Sequence, residues 1–225
     1  MTAASPSRRT NRARACFGRF GAALRYSLYC MLHPFDGFWD LTRERRGSVS
    51  AANFIVFMVL AVRLFSLKQT SFMFLQVYWP RVNIFQQCLA VLLPLGVFCV
   101  GNWALTSLFE GKGTLRDVYI ATSYALAPYV LFSLPAILLS NFITVDEGVI
   151  YSILSFIAVL YPALLIICAM MQIHDYTLGK TLLFTLMSVF AMLVIIFIAL
   201  VCMNLVSDGI AYFISLYREI VFRLY

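Results

Sequence analysis

Apolar positions in this chain come in continuous runs, not in alternation. Five such runs lie at about residues 51–67, 84–109, 118–142, 150–173 and 181–206, with short polar segments between them. Each is close to the length of about 20 residues that carries a helix across a bilayer. Lipid gives backbone groups no hydrogen bonds, so a spanning segment must be a helix or a strand of a closed barrel. Barrel strands alternate polar and apolar positions, and these runs do not. The pattern predicts an all-α protein, a bundle of about five transmembrane helices over residues 48–225.

The first 48 residues read differently. Residues 1–15 are polar and basic and predict a disordered tail. Residues 16–47 interleave Phe17, Phe20, Tyr26, Tyr29, Phe35, Phe38 and Trp39 with Arg19, Arg25, Asp36, Asp40 and Arg43. Such a mixture suits amphipathic helices lying in the membrane interface. The residue before a proline avoids helical geometry, so His33-Pro34 predicts two short helices with a bend between them. At the other end, residues 207–225 form an aromatic tail, with a re-entrant or sixth helix left open.

Composition agrees with a membrane protein. Residues of the hydrophobic class make up 62% of the chain and charged residues 12%, against about 25% charged in soluble domains. The six cysteines form no CxxC pair, and four fall in or near apolar runs, where cysteine acts as a small hydrophobe. Neither disulfides nor a metal site is expected. Residues 1–30 offer no unbroken apolar stretch of signal-peptide length.

The net charge of +7 is unevenly placed. Arg8, Arg9, Arg12, Arg14, Arg19, Arg25, Arg43, Arg45 and Arg46 all precede the first run. Beside a membrane span they read as an orientation signal and an attraction to anionic lipid, not as a nucleic-acid surface. Lys112, Arg116 and Lys180 fall on the same side if the runs alternate. Lys68, Arg81, Arg218 and Arg223 fall on the opposite side, so basic residues divide twelve to four. That bias predicts an N-terminus in the cytoplasm. Arg63 lies inside the first run near its far end, where its side chain can reach the headgroups.

Candidate chemistry is sparse. Gly111-Lys112-Gly113-Thr114 lacks the spacing and preceding strand of a phosphate-binding loop. It reads as a tight turn in which glycine supplies dihedrals that other residues avoid. His33 and His174 are far apart, and neither belongs to a metal-binding pair. Asp146-Glu147 reads as solvated charge on an outer loop. The polar residues inside the runs, Asn102, Thr122, Ser123, Ser133, Asn141 and Asn204, fit interhelical hydrogen bonding. Pro94, Pro128, Pro135 and Pro162 fall within runs and predict kinks, which together with Asn102 could frame a cavity. No catalytic residue, cofactor or metal is expected.

The order of several motifs resembles the bacterial branch of the Yip (Ypt-interacting protein) domain family. They are His33-Pro34-Phe35-Asp36-Gly37-Phe38-Trp39, Gly101-Asn102-Trp103-Ala104 and Glu110-Gly111-Lys112-Gly113-Thr114. Tyr119, Ser123-Tyr124-Ala125-Leu126-Ala127-Pro128-Tyr129, and Ile173-His174-Asp175-Tyr176 with Lys180 complete the likeness, over about residues 30–220. The resemblance implies five membrane helices, a cytoplasmic N-terminal region, a short outer tail and no catalytic residue. It also implies an accessory role beside carbohydrate ABC-importer subunits in the plasma membrane. The expected function is a non-enzymatic interaction protein. A small-solute transporter or channel between proline-kinked helices is the alternative. The expected interaction surface comprises His33, Pro34, Trp39, Glu110, Lys112, Gly113, His174, Asp175 and Lys180.

Overall fold

The computed structural model describes residues 21–74, 82–109, 111–144 and 146–224, and these are helical apart from short connections. In chain order the helices are α1 (residues 21–32), α2 (Pro34–Arg43), α3 (Val49–Gln69), α4 (Ile84–Leu108), α5 (Leu115–Ala125), α6 (Ala127–Leu139), α7 (Gly148–His174) and α8 (Leu178–Leu224). Among the described residues, five helical stretches are long and apolar enough to cross a membrane: α3, α4, α5 with α6, α7 and α8. The predicted all-α bundle is what forms. The basic tail 1–15, Arg19, Arg81 and Glu110 lie outside the described residues.

Local chemistry sets where the helices start. The first N–H groups of a helix have no partner within it. Ser48 caps α3 by accepting from the Ala51 N–H, and Asn83 caps α4 by accepting from the Phe85 N–H. Thr114 and Asp117 form a reciprocal capping box at α5.

The prolines act unequally. Pro128 falls in the first turn of α6, and the third span is interrupted just before it at Leu126, whose N–H bonds to Ser123 O in place of a carbonyl four residues back. Pro94, Pro135 and Pro162 sit inside helices that continue through them. A second difference lies in the tail. It is neither a separate helix nor a re-entrant one, because α8 runs on through Asp208 and Gly209 for 47 residues. At about 1.5 Å per residue that is about 70 Å, and little of it is buried.

α5 occupies the centre, with Val118 and Ile120 to Ala125 all buried. It packs against α3, α4 and α7; α6 lies along α7, and α4 lies along α8. Tyr124, Phe38, Met170 and Val118 are among the largest fully buried side chains.

α1 and α2 form a tight hairpin bent at His33-Pro34, as the sequence predicts. A Cβ on Gly37 would stand 2.7 Å from Cys30 Cα, so only glycine lets the two backbones approach this closely. The Tyr26 hydroxyl donates to Gly37 O at 2.8 Å and clasps the pair. The setting of the hairpin is the surprise. Arg43 meets Asp175 at the end of α7, while the Tyr161 hydroxyl donates to Met31 O at 2.6 Å. Tyr161 lies about 20 Å along α7 from His174, at about 1.5 Å per residue. The hairpin therefore runs down the side of α7 and does not lie flat across the end of the bundle. Its tip leaves Leu32 and Phe35 exposed.

Candidate functional site

The hairpin root, the α4–α5 turn and the α7–α8 turn converge at one end of the bundle. Their meeting point is Asp175. It ends α7 in the left-handed conformation (φ 54), which Asp adopts more readily than most residues. Arg43 Nη2 donates to both of its carboxylate oxygens, at 2.9 and 2.7 Å. Lys112 Nζ donates to Oδ2 at 2.9 Å. One carboxylate thus joins three segments far apart in sequence. The hydrogen bonds from Lys112 and then Arg43 hold its carboxyl below the usual Asp range.

Beneath this joint lies a buried polar chain. His174 is 2% exposed and Asn102 1%. His174 Nε2 lies 3.1 Å from Asn102 Oδ1, and Asn102 Nδ2 donates to Ser188 Oγ at 3.0 Å. The Ser188 hydroxyl donates onward to Phe184 O at 2.8 Å. An amide oxygen can only accept, so Nε2 carries the ring proton. His174 Nδ1 then accepts a long bond from the Gly113 N–H at 3.4 Å, which completes a neutral imidazole. The chain ties α7, α4 and α8 together at depth.

The glycine turn sits directly on this histidine. A Cβ on Gly111 would lie 2.7 Å from Thr106 Cβ and 2.9 Å from His174 Nδ1. On Gly113 it would lie 2.3 Å from Ile173 Cγ2 and 2.8 Å from His174 Cε1. No described glycine has a positive φ. The reading of this turn through unusual dihedrals is therefore corrected: glycine is needed here for close approach. Tyr176 stacks on His174 and donates to Phe109 O at 3.0 Å. Lys180 Nζ stands 4.4 Å from the centre of the Tyr176 ring, a cation–π distance.

Of the expected surface, Lys112, Gly113, His174, Asp175 and Lys180 come together. Trp39 lies beside them, with the Arg43 guanidinium 5.8 Å over its ring. His33 and Pro34 do not join; they form the hairpin tip, where His33 stacks on Tyr29. Sequence reasoning missed Arg43 and Ser188. Asn102, expected to frame a cavity, belongs to the His174 chain. Thr122 and Ser123 donate to carbonyls of their own helix, Val118 O and Tyr119 O. Asn141, by contrast, crosses to Gln69 O at 2.8 Å at the far end of the bundle.

A groove of about 470 Å³ opens between α3, α4, α7 and the α5–α6 break. Pro94, Pro162, Leu126, Tyr129 and Arg63 line it. Two of the four prolines therefore do face a cavity, while Pro128 and Pro135 do not line it.

Five long apolar helices around a polar-pinned core define a polytopic α-helical membrane protein. Within that class, the sequence pattern of the Yip1 domain matches residues 28–200, and the chain belongs to the Yip1 domain family. The match takes in the hairpin tip, α2, the glycine turn and the Asp175 joint. No curated protein and no solved structure matched the chain.

Proposed function

We propose that this Yip1-domain protein is a non-enzymatic interaction protein, an accessory subunit of a plasma-membrane complex with its N-terminus in the cytoplasm. The observation that carries the reading is the Arg43–Asp175–Lys112 joint. Exposed ion pairs contribute only about 0–1 kcal/mol each, so fold stability is a weak reason to converge three segments on one carboxylate. Fixing the relative positions of charged groups is a better one, since a partner reads such positions. The cytoplasmic assignment is supported by the basic residues Arg43, Arg45, Arg46, Lys112, Arg116 and Lys180 at this end, against Lys68 and Arg218 at the far end among the described residues. The resemblance to the bacterial branch supports carbohydrate ABC-importer subunits as the partner class.

A second reading has its own observation. The groove beside Pro94 and Pro162 supports a small-solute transporter or channel, with Arg63 as its one charged lining group. Purification of intact complexes in mild detergent separates the two. Recovery of importer subunits, lost on alanine substitution of Arg43, Lys112, Asp175 and Lys180 but kept on substitution of Asp146 and Glu147, supports the first. Recovery of the chain alone, with solute flux in liposomes that needs Arg63, supports the second. Partner recovery that fails only with the Asp146 and Glu147 variants puts the working surface at the wrong end.

A further inference from the structure

A cleft of about 600 Å³ opens between the end of α2, the glycine turn, the start of α5 and the end of α7. Four cations line it: Arg43, Arg45, Lys112 and Arg116. Two carboxylates face them, and both are already engaged. Asp175 is shared by Arg43 and Lys112. Asp117 accepts from the Thr114 hydroxyl at 2.6 Å within the capping box of α5. Arg45 and Arg116 have no ion pair or hydrogen bond among the described residues. The cleft therefore holds two cations beyond its anions, and both are planar forks suited to phosphate oxygens.

Its lining is mostly polar, backed by Leu41, Ile120 and Ile173, which are almost fully buried. The polar part suits a headgroup, and the small apolar part fits the glycerol of a lipid. The volume falls within the range of small-molecule sites, about 300–1,000 Å³. The cleft also lies where α3 and α5 begin and α7 ends, the level at which spanning helices meet headgroups.

We propose that this cleft binds the phosphomonoester headgroup of an anionic phospholipid, held by Arg45 and Arg116 with Arg43 and Lys112 beside them. The proposal deepens the reading of this end as the working face, and its test needs no protein partner, so the two can fail separately.

The full chain in mild detergent is titrated with phosphatidic acid, phosphatidylcholine and inorganic phosphate, and bound lipid is counted by native mass spectrometry. Wild type is expected to retain phosphatidic acid in preference to phosphatidylcholine, and excess inorganic phosphate is expected not to displace it. The double variant Arg45→Gln with Arg116→Gln is expected to weaken phosphatidic acid binding about tenfold or more, as for two basic residues at an anionic surface. A control pair, Lys68→Gln with Arg218→Gln, removes the same charge elsewhere and is expected to bind like wild type. Both cleft arginines are exposed, so the double variant is expected to melt like wild type. If it does not fold, the single variants carry the same comparison. Equal loss in the control pair would mean diffuse electrostatics and would overturn the site, as would undiminished binding in the cleft variants. Displacement by inorganic phosphate would overturn the lipid assignment in favour of a soluble phosphate.

Discussion

Replacing Asn102 with alanine tests whether the buried chain works as a unit. The change strips the Nε2 proton of His174 of its acceptor and removes the donor that reaches Ser188. A buried donor left unsatisfied costs about 1–3 kcal/mol, and an ordinary hydrogen bond contributes about 0.5–1.5 kcal/mol. Interhelical bonds measured in membranes average lower, about 0.6 kcal/mol, because the unfolded chain in the membrane also finds partners. Asn102→Ala is therefore expected to cost about 1–3 kcal/mol in equilibrium unfolding from mixed detergent micelles. Ser188→Ala leaves Asn102 Nδ2 without its acceptor and is expected to cost about 1 kcal/mol by the same reasoning. Once Asn102 is gone, Ser188→Ala should add little, since the serine's remaining bond is to Phe184 in its own helix. The double variant should then fall short of the sum by about 0.5–1.5 kcal/mol, the size expected for residues in one network. Additive losses within about 0.3 kcal/mol, or a cost below about 0.5 kcal/mol for Asn102→Ala, would refute the chain as drawn.

Three further outcomes can be checked. Gly37→Ala and Gly113→Ala should each lower unfolding stability by about 1–3 kcal/mol through overpacking. Gly101→Ala should be near neutral, since its nearest foreign atom to a new Cβ is 3.6 Å away; equal effects at all three positions in thermal melts would contradict the close-approach reading. The lowered folded-state pKa of Asp175 contributes stability above the usual carboxylate range, and that stability disappears as pH falls through the folded value. Asp175→Asn should therefore flatten the melting profile below about pH 4 while costing at most about 1 kcal/mol at neutral pH; an unchanged acid limb in pH-dependent melts counts against the joint. For orientation, a cysteine placed at Asp146 should react with an impermeant thiol reagent in intact cells while one at Lys112 should not, and the reverse pattern would invert the topology.

Element type and count were written in the sequence because the signal is local. A run such as 150–173 contains no residue that could satisfy its backbone in lipid except by helix formation, and nothing distant alters that. The caps at Ser48, Asn83 and Thr114, which the structure shows, are local too: a cap acts within a few residues of itself. His33-Pro34 marked the hairpin bend, again a local steric effect.

What the tertiary structure decided was where those helices stand and which polar groups meet. The Arg43–Asp175 bond spans 132 residues, the Lys112–Asp175 bond 63, and the Asn102–Ser188 bond 86. No periodicity reports such pairs, because each side chain looks from sequence like an isolated polar group beside an apolar run. Gly113 was legible as a turn residue, but its purpose was not: the constraint comes from Ile173 and His174 pressing on it from another helix. The hairpin was legible as aromatic and basic, and composition alone favoured a place flat on the surface. Only the Arg43–Asp175 pair and the Tyr161 hydroxyl on Met31 O set it against the flank of α7. Local sequence fixes conformation through each residue's own sterics and solvation, whereas a site is made by packing, which depends on residues that sequence keeps far apart.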